Sequence, residues 1–248
     1  MGLKNTEAVT LRTYPYREAD RIVVFFTRDF GKLRGIARGA RRMKSPFGST
    51  LEPLSYVRVI FFEKENQELA SINSCDLLES HAVHRGTLEG SYYCAYFAEM
   101  LNEVAQEGEA NEKLFRLLLA VLDPSLPLDW EMRARYLETW LLRLEGVFPS
   151  LQQCGRCGRR LTRSSVHIGG GGQHAVCGAC AEASDWNLGA EELDLVMEIF
   201  SNKISAIRWK QWSRVVLKNL GRLNSKLIQY HLEKPLKSGR FLKELDPC

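Results

Sequence analysis

The order of apolar and polar positions divides the chain in two. Over residues 5–78 the apolar residues come in short β-branched and aromatic runs, punctuated by Gly, Pro and Asp. That is the pattern of strands joined by tight turns. Five strands are predicted. Val9–Tyr14 alternates weakly and is ended by Pro15, and Ile22–Thr27 is a continuous apolar run. Asp29-Phe-Gly31 turns the chain into Lys32–Ala37, with Leu33, Gly35 and Ala37 inward. Leu54–Phe62 is the longest strand, and Leu69–Asn73 is the fifth. Five short strands in about seventy-five residues suggest a small barrel, compatible with an OB-fold or an SH3-like barrel.

Beyond about residue 78 the apolar period lengthens to that of a helix. Tyr93, Phe97, Met100, Leu101 and Val104 form one face, and Gly108 is expected to close that helix. Leu114, Phe115, Leu118, Leu119 and Leu122 form a second helix, stopped before Pro124. Leu137, Trp140, Leu141 and Leu144 form a third, with Asp129 as its cap and Gly146 and Pro149 at its end. A fourth carries Leu193, Val196, Met197 and Phe200, and a fifth carries Val216, Leu220, Leu223 and Leu227. The expected fold is therefore α+β and multidomain. An N-terminal five-stranded OB-fold-like barrel (1–78) precedes an all-helical domain (79–248), with a cysteine motif inserted at about 150–184.

That motif reads Cys154-Gly-Arg-Cys157, nineteen residues, then Cys177-Gly-Ala-Cys180. Two such pairs at this separation are the spacing of a four-cysteine zinc site. Each turn lets two thiolates converge on one ion, and two turns complete a tetrahedron of sulfurs. Gly169–Gly172 supplies a reversal that brings the pairs together. Redox motifs and disulfides are the alternatives, but two redox pairs this close would be unusual. Disulfides also need an oxidising compartment, of which the sequence gives no sign. His167 and His174 are read as loop residues, since four cysteines already fill the shell. A filled shell leaves no open position, so a single structural Zn²⁺ is expected. Cys75 and Cys94 read as small buried apolar side chains, and Cys248 stands apart.

Charge adds a direction to this layout. Residues 1–50 carry eleven Lys/Arg against four Asp/Glu, while the whole chain carries 34 against 30. Lys32 to Ser45 holds six cations and no acid: Lys32, Arg34, Arg38, Arg41, Arg42 and Lys44. A single-sign cluster with Gly39 and Ser45 in its backbone points to phosphate contact more than to solubility. Arg17 and Arg21 join the candidates, although Glu18 and Asp20 lie between them. Tyr14, Tyr16 and Phe47 could stack on bases, with core packing the better reading of each. Arg214, Lys218 and Arg222 share one helical face and read as an ordinary solvated surface, while Lys234, Lys237, Arg240 and Lys243 add a basic tail. The carboxylates of the helical half read as solvated charge. No P-loop, nucleophile elbow or deaminase element occurs, so no catalytic residue is assigned and a binding protein is favoured over an enzyme. No apolar run approaches a membrane span and the first residues hold no signal-peptide core, so a cytoplasmic protein is expected.

The ordered motifs resemble the bacterial RecO family of DNA repair proteins. The resemblance is carried by Tyr14–Arg21, Phe26–Arg34, Ala37–Arg42, Leu51–Leu54, Gly146–Leu151 before Cys154, and His231–Ser238. It implies an OB-fold, a helical domain and a zinc motif. It also implies a recombination mediator that binds single- and double-stranded DNA and anneals complementary strands in the nucleoid. The implied partners are RecR, single-stranded-DNA-binding protein docked on the helical domain, and indirectly RecA, with no membrane. The competing readings are an RNA- or transcription-associated OB-fold and zinc protein, a metal-dependent nuclease, and a protein scaffold.

Overall fold

Strand β1 (Lys4–Tyr16) is long enough to serve two neighbours. Lys4–Val9 pairs antiparallel with β4 (Tyr56–Phe62), and from Ala8 onward β1 pairs with β2 (Asp20–Thr27). The register shifts between Thr10 and Arg12, a bulge that bends the strand from one pairing into the other. From β2 the sheet continues antiparallel into β3 (Gly31–Ala37). β3 runs parallel to β5 (Ala70–Glu79), which returns antiparallel to β4. The barrel is closed in the order β1-β2-β3-β5-β4. This is the OB-fold arrangement, and it sets the SH3-like alternative aside. The computed structural model describes residues 2–63, 68–81, 86–162, 166–169, 172 and 174–244, so Cys248, Gly170 and Gly171 lie outside the described residues, as does the side chain of Lys243.

Alternation fills the barrel. Leu33, Gly35 and Ala37 point inward as predicted, beside Val23, Phe25, Val57, Val59, Phe61 and Ile72. A Cβ at Gly35 would lie 2.4 Å from Ile72, so the inner packing requires glycine there. In β2 the intervening Val24 and Phe26 are buried too, because Phe26 meets Phe115 with ring centres 5.7 Å apart. A strand covered on both faces reads as an unbroken apolar run.

Three strand ends differ from the pattern. β1 runs through Pro15, which pairs with Arg21 near the hairpin end, where a missing N–H is tolerated. β5 continues to Glu79; its outer end, Asp76–Glu79, is exposed, Leu77 and Leu78 included, so no inward alternation marks it in the sequence. β4 begins at Tyr56 because Leu54 adopts a φ of +62° in the preceding turn.

The helices are set by local caps. Thr87 Oγ1 accepts from Gly90 N at 3.0 Å to start α1 (Leu88–Val104). This helix stops at Val104, since Ala105 is extended, and Gly108 (φ +75°) turns the chain in the loop beyond. Asn111 caps Leu114 N in α2 (Glu112–Leu122). Asp129 accepts from Met132 N at 2.9 Å to start α3 (Trp130–Leu144), as expected, and Gly146 (φ +68°) lies just past its end. α4 (Ala190–Ser201), α5 (Arg214–Leu232) and α6 (Gly239–Glu244) complete the α-helices of the described residues. A small sheet of β6 (Val166–Ile168), β7 (Ala175–Cys177) and β8 (Trp186–Leu188), in the order β7-β6-β8, accompanies the cysteines.

The chain forms two compact units. Met1–Arg116 with Leu236–Cys248 makes the first, and Leu117–Pro235 the second. In the first, the buried carboxylate of Glu99 on α1 accepts from Lys237 N (3.0 Å), Ser238 N (2.7 Å) and the Ser238 hydroxyl. Burial alone would raise its pKa. The Ser238 donors, with Lys237 N and Arg12, hold it below the usual carboxylate range instead.

In the second unit, Arg135 and Glu138 pair at 3.0 Å inside the helices, and Asn224 Nδ2 donates to Glu138 (3.3 Å) and Thr139 (3.0 Å). A Cβ at Gly221 would sit 1.2 Å from the Arg135 guanidinium, so α5 carries glycine where that group lies. Glu99 and Glu138 thus correct the expectation that the helical carboxylates are all solvated: each is held by donors in the interior.

Candidate nucleic-acid interface and metal centre

The hairpin between β1 and β2 and the loop after β3 meet at one rim of the barrel. Arg21 pairs in register with Ala37, so the chain leaves β3 beside the start of β2. Arg41 N donates to Ala19 O at 2.9 Å, and its Nη1 donates to Arg17 O at 3.1 Å. Arg17 occupies the hairpin tip with φ of +50°, its guanidinium 5.2 Å from the Tyr16 ring. Asp20, which in sequence interrupts the cations, spends Oδ1 on Gly39 N at 2.8 Å. The acid therefore organises the basic loop. Arg17, Arg38, Arg41, Arg42 and Lys44 are exposed around this rim, and Arg21 is half-buried.

Lys32 and Arg34 do not join them. Lys32 lies near the far end of β3, about 17 Å of strand from Ala37, and Arg34 lies at the strand's middle, about 10 Å from it. Lys32 Nζ donates to Asn102 O at 2.9 Å, and Arg34 pairs with Glu107 at 2.7 Å. Gly31 explains the approach: with φ of +62° it lets the loop after α1 come so near that a Cβ would lie 2.2 Å from Glu109 O. The sequence run Lys32–Ser45 is thus two groups, one tied to the end of α1 and the loop after it and one free of them. Of the aromatic candidates, Phe47 is buried in the barrel core, Tyr16 is half-buried beside Arg17, and Tyr14 is exposed.

The cysteines are brought together as their spacing predicts. The donor sulfurs of Cys154, Cys157, Cys177 and Cys180 all lie within 4.8 Å of one another. Gly158 N bonds to Cys154 O and Cys180 N to Cys177 O at 2.9 Å each, closing the two turns. Gly169 N donates to His174 O at 2.9 Å in the reversal between β6 and β7. His174 belongs to that reversal. His167 lies in β6, opposite Val176, and not in a loop. Neither histidine belongs to the sulfur cluster.

The donor set fits a tetrahedral thiolate site. Metal–sulfur bonds of about 2.3 Å give a tetrahedron with edges of about 3.8 Å, and Cys157 and Cys177 are 3.8 Å apart. N–H donors from Cys177 and Cys157 lower the Cys154 thiol to about 6. The neighbouring thiols of Cys157 and Cys177 push Cys180 up to about 12. Four thiolates this close repel one another, and a divalent cation removes that repulsion.

An OB-type barrel joined to a helical part with a four-thiol cluster that could hold a metal ion is the class that fold and site define. Comparison with known proteins narrows it. Residues 1–81 match the family model described as recombination protein O N terminal, and residues 85–240 match recombination protein O C terminal. The chain is 34% identical over 249 residues to a DNA repair protein RecO of Koribacter versatilis (strain Ellin345), covering 98% of this chain and all of that protein. It is 32% identical over 251 residues to a DNA repair protein RecO of Geobacter metallireducens (strain ATCC 53774 / DSM 7210 / GS-15), covering all of both. The chain belongs to the recombination protein O family. No helix of the described residues is long and apolar enough to cross a membrane.

Proposed function

We propose that this protein is a non-enzymatic recombination mediator of DNA repair, which binds single- and double-stranded DNA and anneals complementary strands. The observation that carries the reading is the gathering of Arg17, Arg21, Arg38, Arg41, Arg42 and Lys44 at one rim of an OB-type barrel. Annealing needs no covalent chemistry. The cations neutralise two phosphate backbones so that the strands can approach, and base pairing drives the rest. Lys32 and Arg34 are secondary contacts in this reading, because their charge is already engaged. Cys154, Cys157, Cys177 and Cys180 hold one Zn²⁺, which fixes the fold of the second unit and does no chemistry.

The test is binding of labelled single-stranded DNA across a salt series, with annealing of a complementary strand followed on the same sample. Binding that weakens steeply with salt, together with faster annealing, supports the mediator. Equal or better binding of RNA would favour the RNA-associated alternative. Cleavage by pure protein with Mg²⁺ or Mn²⁺ would overturn the non-enzymatic assignment.

The partners follow from the family. We assign RecR and single-stranded-DNA-binding protein as direct partners and RecA as the protein served downstream, in the cytoplasm at the nucleoid. For the single-stranded-DNA-binding protein we select a groove of about 890 Å³ in the second unit, lined by Leu128, Met132, Ile207 and Trp209 with Arg208 and Lys210 at its edge. Its apolar floor, with Arg208 and Lys210 beside Asp129, suits a segment that carries apolar and acidic side chains. Reversing Arg208 and Lys210 to Glu is expected to weaken capture of that protein and leave DNA affinity in place. Unchanged capture would refute the assignment. Co-sedimentation with RecR, and RecA loading on coated single strands, check the other two partners.

A further inference from the structure

The loop after β3 presents a side chain that phosphate contact does not account for. Met43 is fully exposed (105%), with Arg42 and Lys44 on either side and Arg41 one residue further back. Isolated apolar side chains on a surface are common and usually mean nothing. This one stands on a loop that is firmly built. Gly39 N is held by Asp20, Arg41 N by Ala19 O, and Phe47 anchors the far end in the barrel core. Between these anchors, Arg42 N donates to Gly39 O and Ser45 N to Arg42 O, both at 3.0 Å. Arg42–Ser45 is therefore a hydrogen-bonded turn with Met43 and Lys44 as its two central residues. The turn holds a methionine outermost, where its side chain touches water on all sides.

We propose that Met43 is an apolar wedge that enters between neighbouring bases of a nucleic-acid strand whose phosphates are held by Arg41, Arg42 and Lys44. The inference rests on the DNA-binding reading above and deepens it. Cations on both sides bring the backbone to the loop, and the side chain between them then faces the bases. Inserting an apolar side chain at a base step unstacks it, and methionine is among the residues that serve this way. Its unbranched, polarizable thioether adapts to any pair of base faces, so the contact is independent of sequence. Burying it also removes apolar surface from water. Bases parted in this way are open to a complementary strand, which is the step annealing requires.

The experiment uses the full-length protein and single-stranded and duplex oligonucleotides that carry 2-aminopurine, a base whose fluorescence rises when its stacking is broken. The wild-type protein is expected to brighten both probes. Met43→Ala should bind within about threefold of wild type, because the phosphate contacts are untouched, yet lose most of the brightening and slow annealing. Met43→Leu should keep both. Equal brightening by Met43→Ala, or binding by wild type with no brightening, would overturn the wedge while leaving DNA binding in place. Absence of wild-type binding at low salt would overturn the reading beneath it and the wedge together. The substitution is at a fully exposed position, so its thermal transition should match wild type, and a matching transition makes any change in fluorescence local.

Discussion

The barrel and the second unit are specified by different physics, while the first unit also holds one buried carboxylate, Glu99, outside its barrel. The barrel of the first is an apolar interior enclosed by strand pairing, with Val23, Phe25, Leu33, Val57 and Phe61 inside it. The second unit buries charge and polar groups among its helices, with Arg135, Glu138, Thr139 and Asn224 in its interior, and it gathers four thiols around a single point. An apolar interior tolerates many sequences of the right volume and pattern. A buried ionic group or a metal site demands particular residues at particular places. The barrel should therefore lose stability gradually under substitution, whereas the second unit should fail abruptly at a few positions.

Emptying the proposed zinc site is the largest break in that comparison. Apparent binding energies of structural zinc sites are on the order of 10 kcal/mol. Chelation, or Cys154→Ser or Cys177→Ser, should unfold or aggregate the second unit before DNA binding is selectively lost. Metal content near one ion per chain and loss of a cooperative transition would check this. Next comes Glu138→Ala, which removes the carboxylate beside buried Arg135 and should cost about 3–5 kcal/mol, read by urea denaturation.

Glu99→Gln is expected to cost less, about 2 kcal/mol, the scale of a hydrogen bond to a charged group. Because the folded Glu99 pKa is lowered, its stabilisation is present above the ordinary carboxylate pKa and lost as pH falls through the folded value. Acid should therefore loosen residues 237–238 in wild type, and the glutamine variant should lack that pH dependence. Hydrogen exchange at Ser238 reads both. The smallest effect is Arg34→Ala. Its pairing with Glu107 is largely exposed, so stability should change by about 0.5 kcal/mol or less.

Much of this was legible in the residues because period and spacing are local properties. The alternation of Lys32–Ala37, the caps at Asp129 and Asn111, and the two cysteine pairs each depend on neighbours a few positions away. Asn111 carries the same signal as Asp129, a cap residue just before an apolar helical face. What could not be read depends on distant partners. Glu138 resembles a surface carboxylate until Asn224 is placed beside it, and Glu99 until Ser238 is. The basic run split for the same reason. Lys32 and Arg34 look continuous with Arg38–Lys44, and only the approach of the loop after α1 to Gly31 divides them.

That division gives the most direct test of the central claim, that the rim holds DNA. Single-stranded DNA affinity is measured against salt for wild type, for a variant with Arg38, Arg41 and Arg42 changed to Ala, and for one with Lys32 and Arg34 changed to Ala. The rim variant should lower the slope of log affinity against log salt by about 2, since each phosphate contact on a single strand contributes about 0.7. The strand variant should change it by less than half of that. A larger loss from the strand variant, or an unchanged slope in the rim variant, would contradict the account.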